Sequence, residues 1–288
     1  MKAEGEKINV RGVEHYYQWV RKNREGLSKP VLVFMHGWGG SAKYWQDVAN
    51  ILCEYFDCLL YDFRGFGRST LSSSTLAGRS PSLGYELEEY AEDLVILLAQ
   101  LGVEKFTLMA HSFGASIATL FACRYPQRIE KLILTCSGIF TYNKITFPAF
   151  HVAGTLVVKL RYQWFMSVPF AGRLFMIRFL HRPLSDRLNR MFLEDYLQAD
   201  RETATETIKT AVSKKAATEM PQAFASLQMP TLLIAGGKDQ IIPPKLGKSA
   251  AALNPKIEYR EIPKTGHFPM LEDPATYLRQ VRQFLEID

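Results

Sequence analysis

Phe106-Thr107-Leu108-Met109-Ala110-His111-Ser112-Phe113-Gly114-Ala115 is the stretch on which the fold turns. An apolar, β-prone run ends abruptly at a serine, and a helix-compatible segment from Ala115 to Tyr125 follows without a loop. Strand and helix joined so tightly need small residues two places before and two places after the serine, or the two elements collide. Ala110 and Gly114 occupy those places. The methyl of Ala110 is a departure from glycine at both, though a small one. Strand, serine and helix in immediate succession are the layout of a nucleophile elbow.

The segments around this stretch alternate in the same rhythm. Upstream, Ile8-Asn9-Val10 and Val13–Val20, joined at Arg11-Gly12, read as an antiparallel hairpin. Pro30–His36 and Cys58–Tyr61 are continuous apolar runs, as expected of strands covered on both faces. Ser41 is placed to cap a helix over Tyr44–Tyr55. Residues 71–84, rich in Ser and Gly, read as an exposed loop, and Tyr85–Leu101 as an amphipathic helix stopped by Gly102. Downstream come the strand Lys131–Cys136, the strand Pro230–Ala235, a helix near Lys245–Leu253, the strand Ile257–Ile262 and a helix from Pro274 to Leu285. Strands alternating with helices predict a mostly parallel, eight-stranded α/β sheet with helices on both faces.

The rhythm breaks once. Residues 139–227 contain no β-run, only helical stretches such as Arg173–Leu180, Asp186–Leu197 and Thr203–Lys215. The chain is therefore predicted to divide into a first core part at 1–138, a helical insertion at 139–227 and a second core part at 228–288. No internal repeat or low-complexity linker is evident.

Composition fits a soluble globular protein: 288 residues, 47% hydrophobic and 22% charged, enough to bury a sizeable core. The first residues are polar and mixed in charge, so no secretory signal is expected there. The longest uncharged stretch, Ile145–Val158, is too short to span a bilayer and contains Pro148 and Gly154. Four cysteines without metal-ligand spacing suggest free thiols in a reducing cytoplasm. The net charge of +6 is uneven. Between Lys144 and Arg190 eight Lys and Arg face the single acid Asp186, a local excess of +7. Phe147, Phe150, Trp164, Phe165, Phe170, Phe175 and Phe179 interleave this block. That pattern suits a lipid-like ligand or an anionic membrane surface better than nucleic acid. The competing reading is a solvated helical face over an apolar pocket.

A serine hydroxyl needs a base, and the base needs an acid to hold its tautomer. Of six histidines, His111 adjoins Ser112 and is expected to point away from it; His36 lies in a Gly turn; His15 belongs to the hairpin; His151 and His181 lie in the insertion. His267 follows a strand, and in a parallel sheet chemistry gathers beyond strand C-termini. Asp239, in Gly236-Gly237-Lys238-Asp239, follows the strand before it. The other candidate position for an acid, just after Lys131–Cys136, reads Ser137-Gly138 and has no carboxylate nearby.

The order Ser112, Asp239, His267 resembles that of the α/β-hydrolase triad. The resemblance covers the whole chain and rests on five motifs: His36-Gly37-Trp38-Gly39, Asp62-Phe63-Arg64-Gly65-Phe66-Gly67-Arg68-Ser69, the elbow, Gly237-Lys238-Asp239 and Gly266-His267-Phe268-Pro269. It implies a helical cap inserted after the sixth strand and an oxyanion hole formed by the backbone N–H groups of Trp38 and Phe113. It also implies two-step acyl transfer with no metal or organic cofactor, and a purely structural turn at 62–69. Serine at the elbow sets the chain apart from epoxide hydrolases and haloalkane dehalogenases of the same fold, which carry aspartate there. The substrate class expected is a hydrophobic carboxylic ester. Thioester hydrolysis, carbon–carbon bond hydrolysis and a slow-turnover small-molecule receptor on the same fold stay open. The expected setting is cytoplasmic, with membrane-peripheral contact through the basic segment as the alternative.

Overall fold

The apolar runs become strands. A computed structural model describes residues 5–22, 29–69, 71 and 83–287. The predicted loop at 71–84 thus falls, over 72–82, outside the described residues. Eight strands form one sheet: β1 Glu6–Val10, β2 Val13–Val20, β3 Val31–Met35, β4 Asp57–Tyr61, β5 Phe106–His111, β6 Ile129–Thr135, β7 Thr231–Gly236 and β8 Ile257–Ile262. Their order is β1-β2-β4-β3-β5-β6-β7-β8. The hairpin strands pair antiparallel, and from β4 to β8 every pairing is parallel.

Alternation along each strand assigns the two faces. In β3, Val33 and Met35 join one hydrophobic cluster while Leu32 and Phe34 join the other. In β5, Leu108 and Ala110 go with the first pair and Met109 with the second. Helix α1 (Gln46–Leu52) covers the second face through Val48 and Leu52. It follows a short 3-10 turn, Ala42–Trp45, so the predicted helix 44–55 is shorter and begins differently. Helices α2 (Leu87–Gln100) and α3 (Phe113–Arg124) cover the first face; the 3.6-residue recurrence of Leu87, Tyr90, Leu94, Leu97 and Leu98 supplies the contact. All six residues of β5 are buried, because both of its faces are covered. β8 sits at the sheet edge and keeps only its first and last residues buried.

Between β6 and β7 the described residues form helices and turns without a strand. Helix α4 spans Thr146–Lys159, a 3-10 turn Gln163–Ser167, α5 Ala171–Met176, α6 Asp186–Gln198, α7 Arg201–Ala211 and α8 Lys214–Ser226. The single helix predicted at 203–215 is interrupted at Val212, and Ser213 caps the next by accepting from Ala216 N. The helix expected at Arg173–Leu180 runs instead from Ala171 to Met176, and α4 lies in the part of the insertion for which the sequence singles out no individual helix. The segment is tied to the core by polar contacts. Trp38 Nε1 donates to Ala204 O at 3.2 Å and Thr207 Oγ1 at 3.1 Å. Buried Asp195 accepts from Ser41 and Lys43, at 2.5 and 2.7 Å. The sheet is closed by α9 (Pro244–Ala251), the short α10 (Pro269–Glu272) and α11 (Pro274–Leu285), whose Tyr277, Val281 and Leu285 pack on the second face. Among the described residues no helix is long and apolar enough to cross a membrane.

Candidate active site

The elbow is as sharp as the sequence requires. Ser112 sits between β5 and α3 with φ 52° and ψ −119°, a conformation that costs a non-glycine residue about 1–3 kcal/mol. Its backbone is held on both sides: Ser112 N donates to Thr135 O at 2.9 Å, and Ser112 O accepts from Ala115 N and Ser116 N. A Cβ on Gly114 would overlap the His36 carbonyl oxygen, so that position admits only glycine. Ala110 is fully buried and fits.

His267, in the turn between β8 and α10, reaches the serine. Its Nε2 lies 2.9 Å from Ser112 Oγ and its Nδ1 lies 2.7 Å from Asp239 Oδ2. The other oxygen of Asp239 accepts from the backbone N–H of Ile241 at 2.7 Å and Ile242 at 3.0 Å. Nδ1 therefore carries the proton toward the carboxylate, and Nε2 is left to accept from the serine hydroxyl. Asp239 and His267 are almost wholly buried, while Ser112 is half-buried.

The peptide of His267 is fixed as firmly as its ring. Its N–H donates to Phe179 O at 2.6 Å, and its carbonyl accepts from His111 Nε2–H at 2.8 Å. His111 thus does point away from Ser112, and its ring lies 4.8 Å from that of His267. Its Nδ1 accepts from Tyr44 Oη–H at 2.9 Å, and Tyr44 Oη accepts from Gly37 N–H. One assignment of protons satisfies this whole chain. Burial, with the neighbouring His267, pushes the His111 imidazole well below its ordinary pKa, so the ring stays neutral. Burial likewise pushes the Tyr44 phenol up.

The loop at 36–40 runs beside the serine. A Cβ on Gly37 would lie 3.4 Å from Ser112 Cβ. His36 Nε2 accepts from Phe63 N at 2.9 Å, leaving Nδ1–H to donate to Gly37 O at 2.8 Å; burial lowers its pKa to about 4. The backbone N–H groups of Trp38 and Phe113 have no acceptor among the described residues. Asp62 and Arg64 are committed elsewhere. Asp62 holds Arg68 and Ala42 N, and Arg64 donates to Asp93 Oδ2 at 2.8 Å. His15 bonds to Val13 O, His151 to Val212 O, and exposed His181 is turned to solvent.

Two contributors escaped the sequence reading. One is Tyr44, described above. The other is Glu272, a buried acid in the apolar run Phe268-Pro269-Met270-Leu271-Glu272. Its Oε1 accepts from Gly266 N at 2.8 Å and Phe268 N at 3.3 Å, on either side of the base. Its Oε2 accepts from His181 N and Arg182 N, both at 2.7 Å. A single carboxylate thereby binds the base's turn to the helical segment. The only signal in the sequence was an acid where packing called for an apolar residue.

His111, Cys136 and His267 bring ligand-type atoms within 4.8 Å of one another, the one such grouping among the described residues. All four imidazole nitrogens already hold protein partners, so the group is arranged for hydrogen bonding. Aromatic rings gather near the base-bearing turn and the loop at 36–40. Phe179 stands 6.2 Å from the His267 ring, and Trp38 and Phe175 lie 6.0 and 4.6 Å from Tyr196.

Comparison with known proteins gives the family. Over 268 residues, 90% of this chain and 76% of the other, it is 26% identical to an uncharacterised protein of Mycobacterium tuberculosis. Over 256 residues, 87% of this chain and 88% of the other, it is 27% identical to a Serratia proteamaculans protein provisionally named carbamate hydrolase, RutD. An esterase from Exiguobacterium antarcticum superposes with a TM-score of 0.80 at 19% identity, covering 98% of this chain and 100% of that one. Residues 30–274 match the family model described as alpha/beta hydrolase fold, and the chain belongs to that family.

Proposed function

We propose that this hydrolase cleaves hydrophobic carboxylic esters with Ser112 as nucleophile, His267 as general base and acid, and Asp239 as the group that holds the imidazole. The observation that carries the reading is the continuous hydrogen-bond chain from Ser112 Oγ through both nitrogens of His267 to Asp239. Ser112 attacks the ester carbonyl as its proton passes to His267 Nε2. The oxyanion is received by the backbone N–H groups of Trp38 and Phe113. His267 then returns the proton to the departing alkoxide, and water, deprotonated by the same nitrogen, releases the acid. One oxyanion donor contributes about 3–4 kcal/mol to such a step.

Helices α4 to α8 act in this reading as a cap, and residues 139–227 are its extent. Its aromatic inner surface at Phe175, Phe179 and Tyr196 favours an apolar acyl or alkyl group. The carbamate hydrolase and esterase names among the relatives accord with attack on an acyl carbon. The four free cysteines, three of them buried, suit a reducing cytoplasm.

The test is turnover of p-nitrophenyl esters of increasing chain length, together with labelling by a fluorophosphonate. Ser112→Ala is expected to abolish labelling and to lower kcat on the order of 10⁶-fold. Turnover retained in that variant overturns the nucleophile. Labelling of the native protein without turnover of any ester, thioester or diketone points instead to a receptor.

A further inference from the structure

Helix α4 is apolar on two opposite sides, and only one of them is used inside the molecule. Its inner side packs on α7: Gly154 abuts Ile208, Val158 is fully buried, and His151 Nε2–H donates to Val212 O. Its outer side carries Ile145, Val152, Leu156 and Leu160, spaced by seven, four and four residues along one stripe, all exposed, with Ile145 at 79% and Val152 at 70%. Farther along the same segment Trp164, and Phe170, Leu174 and Ile177 of α5 and its flanks, are each more than half exposed. Apart from Ile51 and Leu253, every large apolar side chain exposed among the described residues lies between Tyr142 and Ile177. Monomeric proteins rarely concentrate so many exposed apolar side chains in one segment without a partner.

The charges around the ridge identify that partner. Lys144 and Lys159 bracket α4, and Arg178 and Arg187 stand beyond α5. None of the four has an acidic partner among the described residues. The one acid in the block, Asp186, is taken by Arg173 at 2.6 Å. A second copy would set one unneutralised basic rim against another. An anionic surface neutralises the rim and takes up the ridge together. At 14 residues α4 is about 21 Å long, short of the roughly 30 Å hydrocarbon core. Lysines at both ends suit a helix lying in the plane of an interface, with their ammonium groups among phosphates. Trp164 and Tyr162, stacked with ring centroids 6.4 Å apart, are of the type that settles at headgroup depth.

We infer that the outer face of α4 and α5 is a docking surface for anionic lipid bilayers. This does not depend on the serine chemistry. The test is co-sedimentation of the full chain with vesicles of phosphatidylcholine alone and of phosphatidylcholine mixed with phosphatidylglycerol. Partition to the mixed vesicles, weakened by salt, is expected. Leu174→Asp with Ile177→Asp should lower that partition on the order of 100-fold, and Lys144→Gln with Lys159→Gln about tenfold, with melting temperatures held near that of the native chain. Three results overturn the inference. One is no partition of the native chain to anionic vesicles. The second is partition unchanged by the Asp substitutions. The third is a dimer that those substitutions dissociate and that ignores vesicles, which would make a second copy the occupant.

Discussion

Around His267 all four polar atoms have a protein partner, whereas the outer face of α4 and α5 leaves its apolar side chains to water. The two regions are joined through Phe179 and Glu272, yet they follow opposite rules. At the strand rim, Ser112, His267 and Asp239 stand 2.9 and 2.7 Å apart, and each group is fixed by several others. On the outer face nothing inside the molecule fixes the exposed residues, so their composition answers to something outside it. One region is constrained from within, and the other is left unconstrained by the rest of the molecule.

The strongest way to break this contrast is to disturb the rim at one atom. Asp239→Asn keeps the shape but presents an amide where His267 Nδ1–H needs an acceptor. It should lower kcat on the order of 10⁴-fold while leaving KM within severalfold, as steady-state kinetics on a soluble ester would reveal. A loss under tenfold would remove Asp239 from its role.

Next in size is the seam between the regions. Glu272→Gln leaves one carboxylate oxygen's pair of N–H donors facing an amide that cannot accept. With charge-assisted bonds contributing about 1.5–3 kcal/mol each, the unfolding free energy in urea should fall by about 3 kcal/mol or more. Because Gly266 and Phe268 flank the base, kcat should fall with it by on the order of 10- to 100-fold. Loss of stability with kcat unchanged would mean that the base is held without this residue.

The smallest effect is spread over pH. His15, His36 and His111 are buried with lowered pKa values, His36 to about 4 against an ordinary 6.5. Each remains neutral in the folded chain where the unfolded chain would bind a proton. For His36 that contribution, about 3 kcal/mol, is complete above about 6.5 and drains away as pH falls toward 4, and His15 and His111 act in the same direction. Buried Asp195, whose pKa is raised by burial, works in the opposite direction. Urea titrations stepped down through this window should show the loss, and His36→Gln should flatten the slope. An unchanged slope in that variant would place the acid sensitivity elsewhere.

Much of the core was legible in the sequence because its strands are covered on both faces and read as unbroken apolar runs. Gly114 marked the elbow for an equally direct reason: a side chain there has no room. Ser112, Asp239 and His267 could be ordered because each follows a strand of one parallel sheet. Glu272 could not be found that way. Its partners are four backbone N–H groups, two of them some ninety residues distant, and a backbone donor leaves no mark on residue type. The relay through Tyr44 and His111 was hidden for a similar reason, since their side chains meet only once the 3-10 turn and β5 are adjacent. Helix α4 went unassigned because a segment apolar on both sides shows little of the one-sided periodicity that helix reading relies on.

The hydrogen bonds at Phe179 and Glu272 also set the mechanics of the helical segment. Phe179 O holds the His267 peptide, and Glu272 ties His181 and Arg182 to the same turn, so a displacement of residues 179–182 is felt at the imidazole. Exposed Ile177 lies two residues from Phe179, so a load placed on that side chain has only a short backbone route to His267.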